Sequence, residues 1–373
     1  MRILDLIEDF PDPRMCGKVK YSFSAIIFGT ICGILSGAES WSDIHDYCVI
    51  KFDWISQYVD FSNGVPSEWT FRRVFTLLDP FFLEQLLRTH AAEVVAKNQK
   101  SDQIAIDGKA LCGSQRQGTK CLHSVSAWCH ENGLVLGEEQ VEDKSNEITA
   151  IPRLIESLEV KGSTITIDAA GCQKSIVRLI REKKGHYVLG LKRNQPKFYE
   201  AVEAYIHHQG SSDPRSDERA YCLSDYFDDF HGRTVRRRYF GYDISCLPEA
   251  KDWCDAQSVV AVETISSRKN DPNRCVTANW RYYLSSHKAT QESLADYVRH
   301  HWSIESKMHW VLDVQFKEDS DQKAERKSVR SFALLRRIAL NIVRDRDKTP
   351  KRSHKRKLKM AGWDNDYLLS LLK

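Results

Sequence analysis

The chain has 373 residues, of which 42% are hydrophobic and 28% charged, and a formal net charge of +4. That length accommodates two or three domains with at least one sizeable core, and the composition is that of an ordinary globular protein. A polyanionic partner is permitted by the small net charge but not demanded by it, and eleven cysteines without a CxxC pair exclude a zinc ribbon and a disulfide framework. A reducing cytosol is the expected home. Asp5, Glu8 and Asp9 fall where the apolar region of a signal peptide would lie.

Residues 1–95 read as a helical domain. "YSFSAIIFGTICGILSGA" (21–38) is uncharged over eighteen residues but rich in Ser, Gly and Thr, so a buried helix is expected in preference to a membrane span. Ser42 and Asp43 offer cap oxygens for the next helix. After the turn "FSNGVPSE" come "WTFRRVFTLL" and, behind Asp79-Pro80, "FFLEQLLRTHAAEVVAK". Arg72, Arg73 and Arg88 lie among aromatics there, either as a DNA-contacting surface or as a solvated face over a small core.

From residue 101 the hydrophobic period changes from helical to alternating. "QIAIDGKA" is a strand with Ile104 and Ile106 on one side and Asp107 on the other. "HSVSAWCHENGLVLGEEQV" reads as a hairpin turning at Asn132-Gly133. "EITAIPRLIESLEV" is a helix with a stripe of Ile148, Ile151, Leu154, Ile155 and Leu158, in which Pro152 is tolerable only near the first turn. "TITIDAA" is a half-buried strand ending in Asp168, "CQKSIVRLIREKKG" a helix stopped by Gly185, and "HYVLGLK" a further strand. Three strands in a row followed by alternation with helices give an α/β fold with a mixed sheet covered by helices.

That catalytic-type domain spans 96–345, interrupted at about 197–285 by an insertion of its own β character. Within it Arg233, Arg236, Arg237 and Arg238 make a basic strand able to track a duplex. Trp253 and Trp280 are candidates for stacking on a base, with core packing the commoner role. The remainder, 346–373, is a basic tail and a short helix; in "KTPKRSHKRKLK" (348–359) seven of twelve residues are Lys or Arg. Such a flexible tract is a solvated linker or a contact to phosphate backbone.

Asp107 and Asp168, 61 residues apart, each stand at the end of a strand. Taken singly, each is an ordinary turn residue. On neighbouring strands, two ionised carboxylates repel unless a proton or cation lies between them, and hard oxygen ligands suit Mg²⁺ or Mn²⁺. A third acid, Glu305 in "HHWSIESKMHWVLD", falls on a helix face shared with His301, Trp302, Met308, His309 and Leu312, where an unpaired charge is costly. His301, Glu305 and His309 lack the HExxH order, which disfavours zinc.

Strand Asp, strand Asp and helix Glu in that order resemble the DDE transposases of bacterial insertion sequences, most closely the subgroup of the H-repeat-associated proteins. The likeness runs from about residue 5 to 370. It is carried by "IAIDGKALCGS" (104–114), "KSNEITAIPRLIESL" (144–158), "TITIDAAGCQKSI" (164–176), "YVLGLKRNQP" (187–196) and "HWSIESKMHWVLDVQFKED" (301–319). The resemblance implies a ribonuclease-H-like core in which Asp107, Asp168 and Glu305 bind Mg²⁺ or Mn²⁺, two ions in all. It further implies metal-dependent DNA strand cleavage and strand transfer, acting on terminal inverted repeats and target DNA. A homodimer on paired ends, a cytoplasmic, nucleoid-associated location and no membrane partner follow.

One departure stands out. Where many related transposases carry Tyr, Arg and Lys around the glutamate, this chain has Val298, His301 and Leu312. Candidate DNA contacts are Lys109, Lys144, Lys192, Arg193, Arg236, Arg237 and His301, each otherwise a solvated edge residue. Asp313 and Asp319 are nearby acids, but Glu305 occupies the matching W-x-I-E motif. Two other readings stand beside this one: a nuclease of the same core without strand transfer, and a decayed copy that binds DNA without catalysis.

Overall fold

The uncharged stretch near the N-terminus folds as a thirteen-residue helix, Phe23–Leu35, capped by Ser22 and buried on all sides, as an all-round apolar helix must be. Among the described residues no helix is long and apolar enough to cross a membrane. The computed structural model describes residues 2–8, 12, 14, 17, 19–98, 102–115, 121–141, 146–207, 214–230, 233–268, 277–321 and 325–373.

The chain begins with α1 (Arg2–Glu8), α2 (Phe23–Leu35), α3 (Trp41–Ile50), α4 (Phe52–Ile55), α5 (Glu68–Leu77) and α6 (Pro80–Asn98). Then come β1 (Gln103–Leu111), β2 (Leu122–Cys129), β3 (Leu134–Val141), α7 (Glu147–Glu156), β4 (Thr164–Ile167), α8 (Lys174–Glu182), β5 (His186–Leu191) and α9 (Pro196–His207). Strands β6 (Ala220–Phe230), β7 (Arg233–Asp243), β8 (Ser258–Arg268) and β9 (Thr277–Ser285) follow, with α10 (Leu294–His301) after them. A π-helical turn (Glu305–His309) leads to α11 (Trp310–Val314), α12 (Arg326–Arg346), α13 (His354–Trp363) and α14 (Asn365–Leu372).

Hydrogen bonds join nine strands in the order β3-β2-β1-β4-β5-β9-β8-β7-β6. Strands β1, β4 and β5 are parallel, whereas β2–β3 and every pair from β5–β9 to β6–β7 are antiparallel. Parallel and antiparallel pairs in one sheet bear out the expected mixed sheet, and the segment read as an insertion supplies strands that continue from β5.

Two units divide the chain: Met1–Lys100 with Gly108–Lys144 and Glu305–Lys373, and Ser101–Asp107 with Ser145–Ile304. In the first, α12 is buried along most of its 21 residues and packs on α2, α5, α6 and β3. Trp41 stacks on Phe75 and meets Phe332 edge-on, both at 4.9 Å, and its indole N–H donates to Ser328 Oγ at 3.0 Å. The cap of α3 is Ser40, with Asp43 completing a capping box; Ser42, expected to cap, donates to Glu68 instead. The β2–β3 hairpin turns at 130–133 as expected.

The basic tail is folded. Its Lys357 donates to the Asp347 carbonyl, Leu358 and Ala361 are buried, and α13 packs on α2. Alternating Lys and Arg masked an amphipathic helix whose apolar positions are few but correctly spaced. In this helix Lys355, Arg356 and Lys359 remain exposed.

In the second unit, β4 is buried on both faces, not one. Helix α10 packs on β4 and β5, with Leu294, Ala295 and Val298 clustered against Val188 of β5. The threonines of β4 are therefore satisfied by side chains: Thr164 Oγ1 meets His287 Nε2 at 2.9 Å, and Thr166 Oγ1 receives Gln103 Nε2 at 3.2 Å. Pro152 sits in the second turn of α7, beyond the first turn expected for it; its missing N–H removes one intrahelical bond while Ile151, Leu154 and Ile155 anchor the helix by burial. After α8 the left-handed residue is Lys184 (φ 60°), one before the expected Gly185.

Candidate active site

The parallel register Ile106↔Ile167 makes Asp107 and Asp168 the next residues on two adjacent strands. Both carboxylates follow the last pair of the β1–β4 register, at the edge where open α/β sheets present their functional groups. Only Asp168 is at a strand end, however: β1 runs on to Leu111, so Asp107, expected to end its strand, stands in the middle of it. Asp168 is extended (φ −65°, ψ −179°) and its Oδ1 accepts the Ala170 N–H at 3.0 Å, capping the short 3₁₀ turn Ala169–Gly171.

That turn is held closely. A Cβ on Gly171 would stand 2.4 Å from Ile167 Cγ2, and one on Gly190 of β5 would stand 3.0 Å from Ala169 N, so both positions require the missing side chain. Beyond β5, Asn194 Nδ2 donates to the Ala169 carbonyl at 2.7 Å and Gln195 Nε2 to the Cys172 carbonyl at 3.0 Å. The "GLKRNQP" stretch is thereby explained: its glycine admits the turn that follows Asp168 and its two amides clamp it. Sequence reading missed Asn194, Gln195, Gln103 and Thr166 as positioning residues; two consecutive amides just past a strand end were the available signal.

His301, at the end of α10, is buried and its Nδ1 lies 3.1 Å from Thr166 Oγ1. Burial pulls its pKa down to about 4, against opposing contributions from Asp168 and Thr166. A neutral imidazole therefore stands beside Thr166, and it contributes no fixed positive charge at neutral pH. Next to β4, the end of β5 carries Lys192 and Arg193, both exposed, with the Arg193 guanidinium 6.0 Å over the Tyr199 ring.

Glu305 opens the π-helical turn in the first unit, and it is exposed together with Ser306 and Lys307, while Met308 is buried. The expectation of a packed face shared with Met308 and Leu312 fails for a local reason: a π turn holds an extra residue, so 100° per residue no longer assigns the faces. Arg344 of α12 pins this turn by donating to the Lys307 carbonyl, and also to the Gly133 carbonyl at 3.2 Å.

Lys109 is not placed as a phosphate contact. It is 8% exposed, with Nζ 2.5 Å from Asp313, 3.3 Å from Asp319 and 3.9 Å from Glu318. Although burial opposes it, these acids raise the lysine's pKa. Arg236 and Arg237 pair with Asp225 at 2.5 Å and Asp228 at 2.7 Å on the facing strand β6, and Arg238 is buried against Glu263 at 2.5 Å. The basic strand expected to track a duplex is thus largely neutralised by its neighbours. Trp253 is buried and stacks on Phe198 at 5.7 Å, and Trp280 meets His207 edge-on at 5.0 Å, so both serve packing. Lys144 lies outside the described residues.

Paired carboxylates on adjacent strands are the donor chemistry of a hard divalent cation. Among the described residues no set of three or more His, Cys, Asp or Glu side chains is gathered as a metal site. Of the two histidines flanking Glu305, His301 engages Thr166 and His309 lies in the field of Arg337 and Lys109.

The chain is similar in sequence to known proteins. Residues 95–342 match the model of the family described as "Transposase DDE domain", and residues 4–91 that described as "DDE_Tnp_1-associated". "Putative transposase YncI" of Escherichia coli O157:H7 is 35% identical over 99% of this chain and 94% of its own length. "H repeat-associated putative transposase YhhI" of Escherichia coli K12 is 34% identical over 100% of this chain and 97% of its own length.

Proposed function

The chain belongs to the family of transposases with a DDE domain, and we propose that it cuts the ends of an insertion sequence and joins them to target DNA. The observation that carries this reading is the pair Asp107 and Asp168, each next after the last pair of the parallel β1–β4 register, with the turn after Asp168 clamped by Asn194 and Gln195. In this reading Asp107, Asp168 and Glu305 hold two Mg²⁺ or Mn²⁺ ions. When bound, such ions supply Lewis acidity for in-line displacement at phosphorus.

The chain's own residues do the rest. Two adjacent strands fix the two carboxylates without a covalent nucleophile, and exposed Lys192 and Arg193 receive the phosphate backbone beside them. Terminal inverted repeats and target DNA are the partners, two copies of the chain hold the paired ends, and a bacterial cytoplasm is the setting.

Incubation of the chain with duplexes carrying the element's ends, in Mg²⁺, tests the proposal when cleavage and joining are scored separately. Both products are expected. Cleavage without joining identifies a nuclease of the same core, and binding without either product identifies a DNA-binding remnant.

A further inference from the structure

Several of the arginines that the sequence offers to DNA are engaged by acids. Arg88 pairs with Glu139 at 2.8 Å and with Glu84 at 3.9 Å, and Arg236, Arg237 and Arg238 of β7 pair as described above. Helix α5 differs. Phe71, Val74, Phe75 and Leu78 at this helix are buried, whereas Trp69, Arg72, Arg73 and Leu77 are exposed on its outer half. Trp69 is 69% exposed, an unusual outlay of apolar surface for a tryptophan. The Arg72 guanidinium rests over its indole at 5.5 Å.

The first turn of α12 extends this face. Thr76 Oγ1 donates to Glu325 Oε2 at 3.3 Å, which brings Arg326 and exposed Lys327 to the end of α5. The acids of the patch are engaged locally: Glu68 accepts the Ser42 hydroxyl, and Glu325 caps α12 through the Lys327 and Ser328 N–H groups. What remains outward is an exposed tryptophan with Arg72 over its indole, Arg73 exposed on the same helix, and Lys327 at the helix's far end.

We propose that this face of α5, with the first turn of α12, is the surface with which the chain reads duplex DNA; the proposal rests on the transposase reading above and assigns its recognition element. A ten-residue helix of about 15 Å enters a major groove, where arginines reach guanine edges or phosphates and an apolar ring meets sugar or a thymine methyl. Stacking on Trp69 holds Arg72 in place before binding, which lowers the ordering cost. Charge argues for DNA over a second copy of the chain: an isologous contact would set Arg72, Arg73 and Lys327 against the same cations of the partner copy, whereas a duplex presents phosphates to them.

Anisotropy of a labelled duplex with the element's terminal sequence, against one of shuffled sequence, across a salt series, tests this. The proteins compared are the intact chain, Arg72→Ala/Arg73→Ala, Trp69→Ala and, as a basic control elsewhere, Lys355→Ala/Arg356→Ala/Lys359→Ala. Both α5 variants should lose roughly tenfold or more in affinity for the terminal duplex and approach the shuffled one, and the double variant should lower the salt slope by about 2. The control should weaken both duplexes alike. Unchanged discrimination in an Arg72→Ala/Arg73→Ala protein with wild-type circular dichroism overturns the assignment. So does a Trp69→Ala variant whose sedimenting mass changes while its DNA binding does not. If the intact chain binds neither duplex, the transposase reading falls first and this assignment with it.

Discussion

Replacing Arg337 with Met removes the fixed charge at the centre of the first unit. The guanidinium is 0% exposed and donates to Glu318 Oε1 and the Ala333 carbonyl at 2.6 and 3.0 Å, and it contacts Glu138. Burial pushes the Glu138 carboxyl up to about 7, although Arg337 pulls it down. The arginine, facing two carboxylates, is held charged, so the carboxyl is the member that titrates. Without the guanidinium two buried acids lose their cation, a loss of about 3–5 kcal/mol. The sign with pH follows. Removing Arg337 raises the folded pKa of Glu138 further above its unfolded value, so the folded variant holds a proton that the unfolded chain has released. Its stability therefore falls as pH rises from the unfolded pKa through the folded one, and the deficit against wild type should be larger at pH 8 than at pH 5. Urea denaturation followed by tryptophan fluorescence at both pH values measures this, and Arg337→Met/Glu138→Gln should recover part of the loss. A deficit below about 1 kcal/mol, or one equal at both pH values, would refute the reasoning.

Other expectations follow from the same contacts. Lys109→Met should lower the unfolding midpoint at neutral pH, since Asp313 and Asp319 lose their shared cation, and should leave affinity for random duplex unchanged in a filter-binding assay. Deleting 348–359 should destabilise the chain in a thermal melt, because Lys357 and Leu358 are built into the first unit. Asn194→Ala should reduce the cleavage rate while leaving duplex affinity within twofold, roughly the scatter of a neutral surface change, because its amide shapes only the turn after Asp168; a loss of affinity equal to the loss of rate would count against that role.

Where the sequence was legible, a local period carried the information. Alternation of Ile104, Ile106, Ile165 and Ile167 located the two strands that carry Asp107 and Asp168, and the structure makes them parallel neighbours; it put Asp107 at a strand end wrongly, because β1 runs on to Leu111. Asn132-Gly133 located the hairpin for the same reason, since turn chemistry is local. What was not legible depended on partners distant along the chain. Lys109 and Asp313 are 204 residues apart, so no window could show that the lysine was already engaged. Arg236 looked basic because its neighbours along β7 are, whereas Asp225 on β6 faces it across the hairpin. Around Glu305 the failure was of the template itself, for a π turn shifts every later position relative to an α-helical wheel.

The proposed metal centre can be mapped without reference to DNA. Fe²⁺ bound in place of Mg²⁺, with ascorbate and peroxide, generates hydroxyl radicals that cut the polypeptide beside the ligands, and the fragments are located by mass spectrometry. Competition by Mg²⁺ and loss of the cuts in Asp168→Asn should accompany breaks near residues 107, 168 and 305. Breaks confined to 313–319, or a pattern that Asp168→Asn leaves intact, would contradict the assignment of Asp107, Asp168 and Glu305.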